Sequence, residues 1–495
     1  MSVPIIVWFR NDLRLADNPA LAAAVQDSAT HGAPVIPLYI LEDEATDATA
    51  PSSARALGGA QRWWLHGSLE RLGACCTRRG SPLLLRRGDA GAVLEALVAE
   101  TGAGSVLWNR RYAPALAARD AAVGERLKER GVDVRSFNAG LLAEPWTVSK
   151  KSGGHFKVFT AFWRHLAATL SPPRPTRAPA TLKAPKDRPA GDALADWTLL
   201  PTKPDWAAGL RERWVPGEVA AQSRLAAFLD GPVGAYAAGR DRPDQDGTSA
   251  LSPYLAFGEL GPRQIWHAAR HAADARPELA PGIEVFLREI GWREFQYHLL
   301  HHVPDLPDEP LDRRFAGFPW RTDAAGFRAW RRGRTGYPIV DAGMRQLWET
   351  GWMHNRVRMI AASFLVKDLL LSWQQGERWF WDTLVDADLA QNVGNWQWVA
   401  GSGADASPFF RVFNPVLQGG KFDPEGDYVR RYVPELAGLP RRWIHQPWAA
   451  PAEVLRKAGV TLGKDYPHPV LDHGAARDRA LTLYRTHKRR AEAAS

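Results

Sequence analysis

The chain has 495 residues, 45% of them hydrophobic and 24% charged, which excludes a disordered, collagen-like or coiled-coil protein and leaves room for roughly three domains. Lys and Arg outnumber Asp and Glu by 63 to 54, a net charge of +9 that favours a polyanionic partner without proving one. Tryptophan is in excess: 22, against 10 Tyr and 4 Met, more indole than economical core filling calls for.

The opening MSVPIIVWFRNDLR is too short an apolar run for a signal peptide, and no later run approaches about 18 uninterrupted apolar residues. A soluble, cytoplasmic protein with no membrane partner is expected. Apolar runs at residues 5–9, 35–41, 83–85 and 106–108 alternate with helix-like stretches rich in Ala, Leu and Arg. Residues 1–140 are therefore read as an α/β domain, a parallel five-stranded, Rossmann-like sheet covered on both faces. FRNDLRLADNPAL follows the first strand where a dinucleotide fold would place a glycine-rich turn, so a pyrophosphate on the first helix is not expected. Cys75 and Cys76 are adjacent, which suits neither an ordinary disulfide nor a metal cluster.

Six prolines between Pro172 and Pro189 mark an extended connector, assigned to residues 141–215. Beyond it the β rhythm ends, and amphipathic patterns at 219–229, 283–300 and 353–371 predict an all-α domain over 216–480, followed by a tail at 481–495. DGTSALSPYL, residues 246–255, leads into a helix with Pro253 in its first turn, which offers backbone N–H groups to a phosphate or serves simply as a cap. In REIGWREF, Glu289, Trp292 and Arg293 share a helix face. The carboxyl could be held partly protonated by desolvation and donate to a ligand carbonyl, or form an ordinary i,i+4 pair with Arg293.

Seven arginines from Arg313 to Arg334 interleave with Phe and Trp, a mixture suited to a phosphate backbone or to a solvated face. Helical spacing places Trp352, Asn355, Arg356 and Met359 on one face, an amide beside a polarisable sulfur that suits a flat heteroaromatic ligand. Asp386, Asp388 and Asn392 precede a break at Gly394 and the indoles Trp396 and Trp398. Ten of the tryptophans fall between Trp292 and Trp398. Trp320, Trp373 and Trp396 share no helical period, so only tertiary convergence could make them an electron path.

Together VWFRNDLRLADNPAL, GTSALSPYLAFGEL, REIGWREF, GRTGYPIVDAGMRQLWETGWMHNRVRM, LQGGKFDP, IHQPW and YPHPVLDH resemble the photolyase and cryptochrome flavoproteins along almost the whole chain. The resemblance implies an N-terminal antenna domain and a helical domain holding one U-shaped FAD, active as FADH⁻. Asn392 matches the position facing flavin N5 in photolyases, and Asn355 with Met359 resembles those acting on cyclobutane pyrimidine dimers. WFWDTLVDADLA also resembles plant cryptochromes and class III photolyases, so class I and class III both stand. The implied activity is light-driven repair: an electron from excited FADH⁻ splits the dimer in UV-damaged DNA and then returns. The competing reading is a cryptochrome-like blue-light photoreceptor without repair.

By the same resemblance Glu289, Asn355, Met359, Trp292 and Trp398 would contact or wall the dimer, and Trp396, Trp373 and Trp320 would form the electron relay. Tyr236, Thr248, Ser249, Ala250, Leu251 and Ser252 would surround the FAD phosphates. Phe286, Arg293, Arg358, Asp386, Asp388 and Asn392 would lie nearer the flavin. Arg240, Arg356, Arg411 and Lys421 would hold DNA phosphates. Asn109 resembles a position used for a methenyltetrahydrofolate antenna, with a deazaflavin or an empty pocket as alternatives. The resemblance implies no metal, and a monomer acting in the bacterial cytosol.

Overall fold

Three buried runs, Ile5–Phe9 (β1), Val35–Leu41 (β2) and Ser105–Asn109 (β4), form the centre of a parallel sheet in the computed structural model, which describes residues 3–42, 54–405 and 411–493. The more polar Leu84–Arg87 (β3) and Asp133–Phe137 (β5) take its edges, in the order β3-β2-β1-β4-β5. DVRSF is no apolar run, because an edge strand needs less burial than a central one. Alternate side chains of β1 enter different cores, Ile5, Val7 and Phe9 on one face and Ile6 and Trp8 on the other.

Pro19–His31 (α1) and Gly59–Arg78 (α2) cover the first face, and Ala90–Thr101 (α3) and Pro114–Glu129 (α4) cover the second. Asn18 and Asp89 cap α1 and α3 by accepting from the N–H of Leu21 and Ala92. The order reverses between β1 and β4, so their carboxyl ends open a crevice at the reversal.

Two segments differ from the sequence-based expectation. Residues 170–193 carry neither helix nor strand, but the segment before them is not extended: Phe159–Thr169 (α5) is a helix. Its Phe159, Phe162 and Leu166 form a buried stripe, an amphipathic period overlooked beside the prolines that follow. The end of the chain is likewise no loose tail, because one helix runs from His473 to Ala493 and packs Ala480, Leu483 and Tyr484 around Phe315, Phe318 and Trp320.

After β5 the described residues form helices and turns, with one isolated bridge between Leu462 and Tyr466. The core beneath α1 and α2 continues into this region through Phe228, Ile283, Phe286 and Val385. A second apolar core, including Phe295, Met353, Trp373 and Trp396, fills the rest. No helix among the described residues is long and apolar enough to cross a membrane.

Candidate active site

A cavity of about 480 Å³ opens among the helices Ala280–His302, Asn355–Ser363 and Leu389–Ala400. It collects most of the expected residues. Tyr236, Ser249, Leu251, Ser252 and Phe286 line one part, and Arg293, Arg358, Asp386, Asp388 and Asn392 another. Glu289, Trp292, Asn355, Met359 and Trp398 lie around the same space, with Trp396 at its edge. Thr248 and Ala250 are outside the lining. Ala250 takes a left-handed φ of 48°, turning the chain into a single helical turn, Ser252–Ala256.

Asp386 organises the flavin-side residues. Its Oδ2 accepts from the Ser252 hydroxyl at 2.5 Å and from Arg358 Nη2 at 2.8 Å, while its buried Oδ1 has no hydrogen-bond partner among the described residues. Gln296, which the sequence reading missed, has a buried Oε1 in the same position and also lines the cavity. A guanidinium, a serine hydroxyl, carboxylates and an amide gathered on one cavity fit a ligand with phosphate oxygens and N–H edges, as FAD has. Asp388 is committed elsewhere: it caps its helix through the Gln391 N–H and accepts from the Tyr297 hydroxyl at 2.6 Å. Arg293 reaches out of the helical region to donate to Gly140 O at 2.6 Å.

Asn392 is oriented from behind. Its amide donates to the Glu377 carboxylate at 2.8 Å and to the Glu377 carbonyl at 3.0 Å, and Arg55 forms an ion pair with that carboxylate at 2.7 Å. Burial pushes the Glu377 carboxyl above its ordinary pKa, against the pull of Arg55 and Asn392. Glu377 stands one turn after Trp373, and that spacing was the signal available in the sequence.

On the opposite side Glu289 is not an isolated acid in an apolar helix, and it does not pair with Arg293. It pairs with Arg240, which also lines the cavity. Trp352 is also corrected. His354 caps the following helix through the Arg356 N–H, which leaves Trp352 before the first turn, with its indole N–H toward Ser252 Oγ at 3.3 Å. Asn355, Arg356 and Met359 line the cavity from that helix, together with Arg358 and Ala362.

Of the expected phosphate-binding cations, Arg240 and Arg356 carry carboxylate partners, Glu289 and Asp241, the latter at 2.7 Å. Arg411 and Lys421 are exposed, and Arg356 and Lys421 both lie over the Phe422 ring, at 4.4 and 5.1 Å. The arginine-rich stretch does not border the cavity. Arg313 pairs with Asp305 and Glu309, and Arg314 with Asp312, while Arg321, Arg328, Arg332 and Arg334 are exposed.

The three expected relay indoles run away from the cavity. Trp396 and Trp373 are buried and Trp320 is half-buried, and Trp373 and Trp320 line one outer cleft. Gly376 lets Trp396 approach the helix Trp373–Thr383, since a Cβ there would overlap the indole. Trp330, fully buried and edge-on to Trp396 at 6.2 Å, is a further neighbour.

Asn109 is held by its neighbours at the end of β4. Its amide donates to Asp12 at 2.5 Å and Asn18 at 2.7 Å and accepts from the Ala20 N–H at 3.2 Å, so its hydrogen-bonding groups are spent inside the α/β domain. The crevice at the strand ends is lined instead by Arg10, Tyr39, Glu42, Arg111 and Tyr112.

Residues 5–180 match the family described as DNA photolyase, and residues 286–486 match the FAD binding domain of DNA photolyase. The chain is 54% identical to the deoxyribodipyrimidine photo-lyase of Agrobacterium fabrum over 98% of both chains. It is 41% identical to cryptochrome-1 of Arabidopsis thaliana over 95% of this chain and 69% of that protein. The crystal structure of a bacterial class III photolyase from Agrobacterium tumefaciens superposes with a TM-score of 0.93 at 53% identity, over 99% of this chain and 98% of that one.

Proposed function

The chain belongs to the DNA photolyase family, and on that premise we propose that it is a light-driven repair enzyme splitting cyclobutane pyrimidine dimers in UV-damaged DNA. One observation carries the reading: a single cavity joins Glu289, Trp292, Asn355, Met359 and Trp398 to Arg358, Asp386 and Asn392. FAD, bound reduced and excited by light, would supply one electron to the dimer and take it back after the ring opens. Ser252, Arg358, Asp386 and Asn392 would hold that group.

The chain's own part is orientation and charge. Glu289 offers carboxyl oxygens to a pyrimidine N–H, while its partner Arg240 can donate to a carbonyl oxygen and stabilise negative charge developing there. Trp292 and Trp398 provide flat apolar walls, and Asn355 and Met359 a polar and a polarisable contact. Reaching such a cavity requires the dimer to leave the duplex, as photolyases and other base-flipping enzymes do. Arg411 and Lys421, both exposed, would hold the flanking phosphates. Trp320, Trp373 and Trp396 would pass electrons inward from the outer cleft.

Class III membership is supported by 53% identity and a TM-score of 0.93 to the class III structure. The repair reading is favoured over a photoreceptor by the higher identity to the photo-lyase than to the plant cryptochrome. For a second chromophore, methenyltetrahydrofolate or a deazaflavin, the crevice at the β1 and β4 ends is the candidate site, because it lies where the strand order reverses and carries aromatic and charged groups on its walls. The absorption spectrum of purified protein would reveal both chromophores. Illumination of reduced protein with a thymine-dimer oligonucleotide tests the repair reading. Thymine absorbance near its usual maximum should return, and no return with reduced flavin present would sink it.

A further inference from the structure

Trp292 lines the cavity, and one face of its indole is covered by a residue from the connector. The Phe159 ring of α5 lies parallel to the indole, 3.7 Å between centroids and 9° between planes. Phe159 is fully buried, whereas Trp292 is only partly so. Two more contacts press α5 onto the same stretch of helix. Trp163 sits against Gly291, where a Cβ would overlap the ring, and Phe162 packs on Phe295 at 5.2 Å and His298 at 5.1 Å. Gly291 immediately precedes Trp292, so α5 approaches most closely at the cavity wall itself.

An indole with one open face can swing between rotamers, and a ligand that stacks on it must then order it. With a phenyl ring seated behind, the indole is held before the ligand arrives. A pyrimidine laid on the open face completes a stack of pyrimidine, indole and phenyl.

We propose that Phe159 is a positioning residue for lesion recognition, fixing Trp292 so that it presents one flat face to the dimer. The inference rests on the dimer reading of the cavity and goes beyond it, because it places part of the discrimination between damaged and intact DNA in the connector between the two domains.

The test uses the full, flavin-loaded protein in the dark, with a labelled duplex carrying one thymine dimer and the same duplex undamaged. Phe159→Ala and Phe159→Leu, the second keeping apolar bulk but no flat face, should each weaken dimer binding by roughly tenfold. Binding to undamaged duplex and flavin content should stay unchanged. Combining Phe159→Leu with Trp292→Ala should cost little more than Trp292→Ala alone, because both act through one indole. Wild-type dimer affinity in both Phe159 variants, with weakened binding in Trp292→Ala, would overturn the proposal. So would equal loss for both duplexes, or loss of flavin, in Phe159→Leu, since either would mark a general packing role. Unchanged dimer affinity in Trp292→Ala would instead overturn the dimer reading on which the proposal rests.

Discussion

Asn392 and Glu377 are joined twice, the amide of one donating to both the carboxylate and the backbone carbonyl of the other. The link orients the residue expected beside flavin N5, and it continues to Arg55, so a side chain from just before α2 braces the centre of the helical region.

Removing the middle of that chain should be costly. Glu377→Ala takes the carboxylate away from the largely buried Arg55 guanidinium and leaves the Asn392 amide only the backbone carbonyl, an expected loss of about 2 kcal/mol of stability. Glu377→Gln keeps an acceptor for Asn392 and should lose less. Chemical denaturation of the two variants, both flavin-loaded, would measure the difference.

Trp396→Phe should slow the light-driven reduction of oxidised flavin sharply, while repair by chemically reduced protein persists. Gly376→Ala probes the same contact from the neighbouring helix. Alanine is the better helix former by roughly 1 kcal/mol, yet the added methyl would meet the Trp396 ring. The overlap should dominate, giving lower stability together with slowed photoreduction, both readable by absorbance.

Lys421→Ala and Arg411→Ala should weaken binding to damaged and undamaged duplex alike. Each should reduce the slope of log affinity against log salt by about 0.9 if it holds one phosphate. Arg356→Ala should change that slope less, because Asp241 already neutralises it at 2.7 Å. Equal slope changes for Arg356 and Lys421 would mean that the ion pair opens on DNA.

Glu259 is fully buried and accepts from Trp64, Ser68 and the Gly217 N–H, and burial pushes its pKa up to about 8. The unfolded carboxyl ionises near its ordinary value, so the folded state binds the extra proton between these limits. Its contribution is present in acid and is lost as pH rises through about 8. Glu294, pushed up to about 7, gives the same sign over a lower window. His354, lowered by burial to about 4, acts oppositely, but only below the ordinary histidine range. From pH 7 to 8 stability should therefore fall by about 1 kcal/mol, and Glu259→Gln should flatten the fall. Urea unfolding at three pH values in this interval would check it.

Local rules fix a good part of this molecule before any folding is considered. The alternating apolar runs dictate a parallel sheet, the proline-rich stretch an extended passage, and motif after motif a flavoprotein of one family. The residues around the cavity were legible for the same reason, since their types and spacing belong to short segments. What the chain alone left undecided was which charged or amide groups would be satisfied by one another. Asn109 spends its amide on Asp12 and Asn18, Glu289 meets Arg240 rather than Arg293, and Arg356 meets Asp241. Most of these partners lie tens of residues apart or more, and a buried polar group takes whichever complementary group the packing brings within reach. The backing of Trp292 by Phe159 is of the same kind: 133 residues separate the rings, and only the docking of α5 on its neighbour makes them one wall.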